Sequence, residues 1–236
     1  MNAKRWLVTT GMGLVAIVAC AQPRATPTYF PVARGAHPHD VAASPRSGGP
    51  VYYTAQATGR LGVLDPATGR VEEIPLGSGS APHGVVVGPD GAPWITDGGQ
   101  NAIVRVDPAT HEIRRWPLPA TAPNANLNTL TFDRRGRVWF TGQSGYYGRV
   151  DPASGDVRVW RAPRGAGPYG ITTTPAGDVY YASLAGSHIA RIDVDTGEPE
   201  RPGDPLPDPS GATPPARPPG GSTRLPGTRV ALPGGT

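Results

Sequence analysis

One stretch, Ser80-Ala-Pro-His-Gly-Val-Val-Val-Gly-Pro-Asp-Gly-Ala-Pro-Trp-Ile-Thr-Asp97, returns along this chain in four versions. The versions open at Pro38-His39-Asp40-Val41, Pro82-His83-Gly84-Val85, Asn126-Leu127-Asn128-Thr129-Leu130 and Pro168-Tyr169-Gly170-Ile171. Each runs on to an aromatic residue (Tyr52, Trp94, Trp139, Tyr180) and then to Asp65, Asp107, Asp151 or Asp193. Those aspartates stand 42, 44 and 42 residues apart. Short alternating segments repeated every 40–45 residues or so are the mark of β-propeller blades. The expected fold is therefore all-β, a propeller of four-stranded antiparallel blades.

The second copy shows how one blade is written. Gly84–Val87 is a short apolar run, and Gly88-Pro-Asp-Gly91 is a turn. Pro93–Thr96 and the alternating Ala102–Val106 read as the next two strands, and Glu112–Leu118 as an outer fourth. The third copy repeats the scheme, while the first carries two extra residues around Ser47-Gly48-Gly49. In the fourth, strands are expected around Ile171–Thr174, Val179–Ala182 and Ile189–Ile192, without an outer partner. Thr28–Val32 resembles an outer strand that belongs to no preceding blade. It could close a four-bladed ring, since pairing the first strand with the last blade removes free edges. The preferred reading is four recognisable blades of a larger, seven-bladed ring.

The ends differ from the repeats. Lys4 and Arg5 precede an apolar run from Trp6 to Ala19, which reads as an export signal over residues 1–20. Ile17-Val18-Ala19-Cys20 matches a lipobox, with Cys20 as the lipidation site. The expectation is a membrane-anchored lipoprotein of the cell envelope; plain secretion is the alternative. Cys20 is the single cysteine, so no disulfide framework is available to the blades. Eighteen of the thirty-eight residues from Pro199 to Thr236 are glycine or proline, and none is aromatic. This segment is expected to be disordered, because it cannot bury enough apolar surface to offset its ordering entropy. Out-of-frame translation of GC-rich coding sequence is the preferred account of it, and a natural tail is the other. The formal net charge is +4, but no basic run with interleaved aromatics is present, which argues against a nucleic-acid partner.

His39, His83, Asn128 and Tyr169 occupy one equivalent position before the innermost strands, near the expected central channel. They read either as a small-molecule site or as loop caps bonded to neighbouring blades. Asp65, Asp107, Asp151 and Asp193 precede Pro-Ala-(Thr/Ser) or Val-Asp-Thr turns and read as turn formers, while Tyr52, Trp94, Trp139 and Tyr180 recur in register and read as inter-blade core. Gln56, Gln100 and Gln143 recur after the second strands, where structural and ligand-contact roles are both open.

The pattern Pro-His-Gly-Val, Gly-Pro-Asp-Gly, aromatic-x-Thr, Asn-x-Ile and Pro-Leu-Pro over about residues 28–198 resembles the virginiamycin B lyase (streptogramin B lyase) family. The resemblance implies a seven-bladed propeller that opens a cyclic depsipeptide by elimination at its ester. It implies a histidine general base and Mg²⁺ as Lewis acid, with a metal-associated glutamate two residues before one histidine. Pro82-His83-Gly84-Val85 matches that opening, which makes His83 the candidate base with His39 in support. Asn128 and Tyr169 are candidate substrate contacts. Ala81 stands where the glutamate would be, and His37 takes the corresponding place before His39. His37 is thus the candidate metal ligand, of a type better suited to zinc than to Mg²⁺. A monomer acting on a small molecule or peptide is expected. A non-catalytic binding propeller and a metal-dependent lactonase-like propeller are the alternatives. If the lipobox reading holds, Cys20→Ala abolishes incorporation of labelled fatty acid in a bacterial host, and retained labelling refutes it.

Overall fold

A computed structural model describes residues 26–198. The expected export signal, Cys20 and the Pro/Gly-rich segment from Pro199 onward lie outside the described residues. Residues 34–198 form four consecutive antiparallel sheets. Blade one is β1 (Pro38–Ala43), β2 (Val51–Ala55), β3 (Arg60–Leu64) and β4 (Val71–Pro75), with a 3-10 turn at Gln56–Thr58. Blade two is β5 (Pro82–Val87), β6 (Pro93–Asp97), β7 (Ala102–Val106) and β8 (Ile113–Pro117). Blade three is β9 (Leu127–Phe132), β10 (Val138–Gly142), β11 (Tyr146–Val150) and β12 (Val157–Arg161). Blade four is β13 (Pro168–Thr173), β14 (Val179–Ser183) and β15 (His188–Ile192), and no outer strand is present among the described residues.

The turns form as the sequence predicts. Asp65, Asp107, Asp151 and Asp193 each accept a hydrogen bond from the amide two residues on, at 2.8–3.0 Å. The backbone amide of each also closes the loop onto the carbonyl five residues later. The insertion in blade one is visible in the same bonds. Ser44 N reaches Pro50 O, where Gly88 N reaches Ala92 O and Asp133 N reaches Arg137 O.

The inner strands β1, β5, β9 and β13 touch in chain order, and apolar side chains fill the space between successive blades. Strand alternation sends one side-chain set toward the preceding blade and the other toward the next. Trp94 and Trp116 stack on the third-blade side of blade two, with ring centroids 5.0 Å apart. Trp139 and Trp160 repeat this one blade later at 5.9 Å, and Tyr147 and Tyr181 extend the stack. Trp139 is fully buried, and its Nε1 donates to Asp133 at 2.9 Å. Burial would raise the Asp133 carboxyl, but the Trp139 and Arg137 hydrogen bonds hold it below the usual range.

Three expectations are corrected. The inner strands begin at the prolines rather than after them, because Pro82 still pairs with Asp97 across a one-residue bulge. Residues 26–33 contain no strand; Pro27 and Pro31 offer no N–H to one edge of a ladder. Tyr180 is only half-buried, since it lies on the face of blade four that has no neighbour among the described residues. The matching free face of blade one leaves Val41 64% exposed. Replacing Trp139 by alanine should cost about 3–5 kcal/mol, read by urea unfolding. Tyr29→Ala, at a residue 86% exposed, should change stability by less than about 0.5 kcal/mol.

Candidate functional site

The bulge at the head of each inner strand builds the site. In blade two, Val85 pairs with Ile95 and Pro82 with Asp97, so His83 and Gly84 together oppose Thr96. Their backbone groups are left out of the ladder, and the Thr96 hydroxyl takes over. It accepts from Gly84 N at 2.8 Å and donates to Asn128 O of blade three at 2.5 Å. Thr54 does the same between blades one and two, accepting from Asp40 N at 3.0 Å and donating to His83 O at 2.7 Å. Thr141 donates to Tyr169 O, joined there by Thr129 Oγ1 at 2.6 Å. Gly84 is required by closeness: a Cβ there would stand 2.5 Å from Asn128 O.

These ties bring residues of three blades together. The His39 and His83 rings lie with centroids 3.7 Å apart and planes tilted by 44°. His83 Nδ1 is 3.1 Å from Asn128 O, and Asn128 Nδ2 is 3.3 Å from His83 Nε2. A carbonyl can only accept, so Nδ1 carries the proton and Nε2 keeps its lone pair. Burial pushes the His83 pKa below its ordinary value and His39 adds to this, with the Asn128 carbonyl and Asp40 opposing. The neutral imidazole is thereby favoured. Asn128 is fully buried, and its Oδ1 has no hydrogen-bond partner.

The other predicted residues separate. Tyr169 joins the network through its main-chain carbonyl, and its side chain is part-exposed. His37 is exposed in a left-handed turn at φ 48°. No group of three or more His, Cys, Asp or Glu side chains converges among the described residues. Asp40 is the carboxylate beside the histidines, and its two oxygens accept from Val41 N and Val85 N. Two imidazoles and one amide oxygen are a poor set for Mg²⁺, which requires mostly oxygen donors. The residues therefore do not fit that ion. Gln100 is structural: its Nε2 donates to Leu76 O and Ser78 O, and its Oε1 accepts from Arg115. The recurring aromatic-x-Thr is the sequence signal of the three threonines Thr54, Thr96 and Thr141.

Bulged inner strands and inter-blade cores define a β-propeller, with a polar cluster where the inner strands begin. The virginiamycin B lyase family model matches residues 2–211, and the chain belongs to that family. A catalytically inactive virginiamycin B lyase from Staphylococcus aureus, solved with quinupristin, is 29% identical with a TM-score of 0.63. That match covers 71% of this chain and 56% of the other, so this chain spans little more than half of that relative's length. A streptogramin B lyase structure shares the fold at TM-score 0.65 and 23% identity, over 72% of this chain and 56% of that one. A gluconolactonase from Zymomonas mobilis is 37% identical over 79 residues, which are 31% of this chain and 22% of that protein.

Because the fold favours neutral His83, its contribution to stability is full above the unfolded pKa of about 6.5 and is lost as pH falls through the lower folded value. In an NMR titration His83 should titrate below that reference, and His39→Ala should move it upward. An unshifted His83 would remove the electrostatic coupling between the two rings.

Proposed function

We propose that this chain is a lyase-type propeller in which His83 is the general base for an elimination that opens a cyclic ester. The carrying observation is the His39–His83 pair at the hub, with His83 held neutral. Nε2 would take the proton from the carbon α to a carbonyl. The C–H electrons form the α,β double bond, and the β-carbon–oxygen bond breaks to release a carboxylate. The 3.3 Å contact from Asn128 Nδ2 is long, so it holds that lone pair weakly and a substrate could displace it. His39 assists by repelling a second proton. The substrate class, a cyclic depsipeptide, rests on the family and on the quinupristin-bound relative. Export and anchoring through Cys20 belong to the same reading, which places the activity in the cell envelope.

A second reading is a non-catalytic binding propeller. It is favoured by Ala81, which stands where the resemblance calls for a glutamate, and by the absence among the described residues of any cluster of three or more metal-binding side chains. A lactone-hydrolysing reading, raised by the gluconolactonase likeness, needs carboxylate metal ligands that this site does not assemble. Incubation with quinupristin, followed by chromatography and mass spectrometry, separates the outcomes. Elimination gives a linear product of unchanged mass, hydrolysis adds one water, and a binder leaves the ring intact. His83→Ala should lower an elimination rate by about 10²–10⁴-fold; full activity in that variant rules out the base assignment.

A further inference from the structure

Blade one departs from its sisters in three linked ways, on the face of the molecule opposite the histidines. Tyr52 stands where blades two and three carry Trp94 and Trp139, and Ile74 stands where they carry Trp116 and Trp160. The stacked indole pair that fills the next two inter-blade spaces is therefore missing between blades one and two. A cleft of about 240 Å³ remains there, floored by Tyr52, Leu61, Val63, Ile74 and Val106. The third difference is the two-residue insertion after β1, which carries Arg46 to the mouth of the same cleft.

We infer that this cleft is a binding site for a planar aromatic anion, an aryl or indolyl carboxylate, whose ring takes the place of the missing indoles. The volume of the cleft exceeds the ~150 Å³ at which an enclosed apolar cavity holds benzene, and it opens to solvent between an apolar floor and a polar rim of Ser44, Arg46, Asp90 and His111. The wall chemistry matches: the sister spaces hold flat rings between aliphatic side chains. The mouth sets the charge. Asp90 pairs with Arg105 Nε at 2.7 Å and accepts a hydrogen bond from Trp94 Nε1 at 3.2 Å, and Arg105 also faces Asp107 at 3.5 Å. Glu72 faces Arg70 and His111. Arg46 has no carboxylate partner among the described residues, and its guanidinium is free to receive one. The site is separate from the hub. β1 and β5 run from the histidines to the turns that edge the cleft, roughly 20 Å for six extended residues.

Isothermal titration of the full chain with indole-3-acetate tests this, with uncharged indole as comparator. The wild type should bind both, indole-3-acetate more tightly. Arg46→Ala should weaken indole-3-acetate about tenfold, as expected for one lost charge-assisted contact, and leave indole within about twofold. Ile74→Trp should abolish binding of both probes and raise the thermal midpoint, because the new indole occupies the cleft. Tyr52→Trp should act in the same direction if Ile74→Trp does not fold. Absence of wild-type binding, or undiminished binding in a folded Ile74→Trp or Tyr52→Trp variant, overturns the inference.

Discussion

Everything at the hub depends on one threonine hydroxyl in each of the first three blades. Thr54 and Thr96 each accept the amide that the bulge of their own inner strand leaves unpaired, and each donates to the opening carbonyl of the next blade. A single oxygen thus satisfies two buried backbone groups and fixes where the following sheet begins. Leaving either group unmet would cost about 1–3 kcal/mol, so neighbouring blades are held in one register. Ala182 occupies the equivalent place in blade four, where no further sheet follows among the described residues. The series of ties ends with the residue type that cannot make one.

The same ties place the two histidines and Asn128. Thr54 holds the carbonyl of His83, and Thr96 holds the carbonyl of Asn128. The imidazole is suspended between two anchored backbones, with its tautomer set by the second. His39 arrives from blade one at the same level because its own bulge is built alike. The family is shown by the match over residues 2–211, and the part matched in the quinupristin-bound relative is 56% of that chain. Ala81 and His37 stand two residues before His83 and His39, and the carboxylate beside the two rings is that of Asp40.

Repetition also exposes where one blade was altered. The core positions of blades two and three use a stacked tryptophan pair, whereas blade one uses Tyr52 and Ile74 without rebuilding the volume. Protein interiors are close-packed and do not simply collapse over such a change. The residual space opens beside Arg46, a residue that only blade one's longer turn could bring there.

Much of this was legible before any coordinates. The spacing of Asp65, Asp107, Asp151 and Asp193 determined the blade period, because an aspartate that bonds the amide two residues on is a local event. The alternating runs determined the blade strands to within three residues, though not the absence of a strand at Thr28–Val32, and the recurring aromatics located the inter-blade cores. What the tertiary structure alone decided was the company each residue keeps. His83 meets Asn128 across 45 residues of chain, through a bulge whose offset depends on a threonine in another strand. His37 stays apart from His39's partners for a similar reason, since its left-handed turn lies outside the bulge. Local sequence encodes turns and strands through bonds that close within a few residues. The rotation of one sheet onto the next is settled by packing and by hydroxyls reaching between blades, and neither has a pattern confined to one stretch of chain.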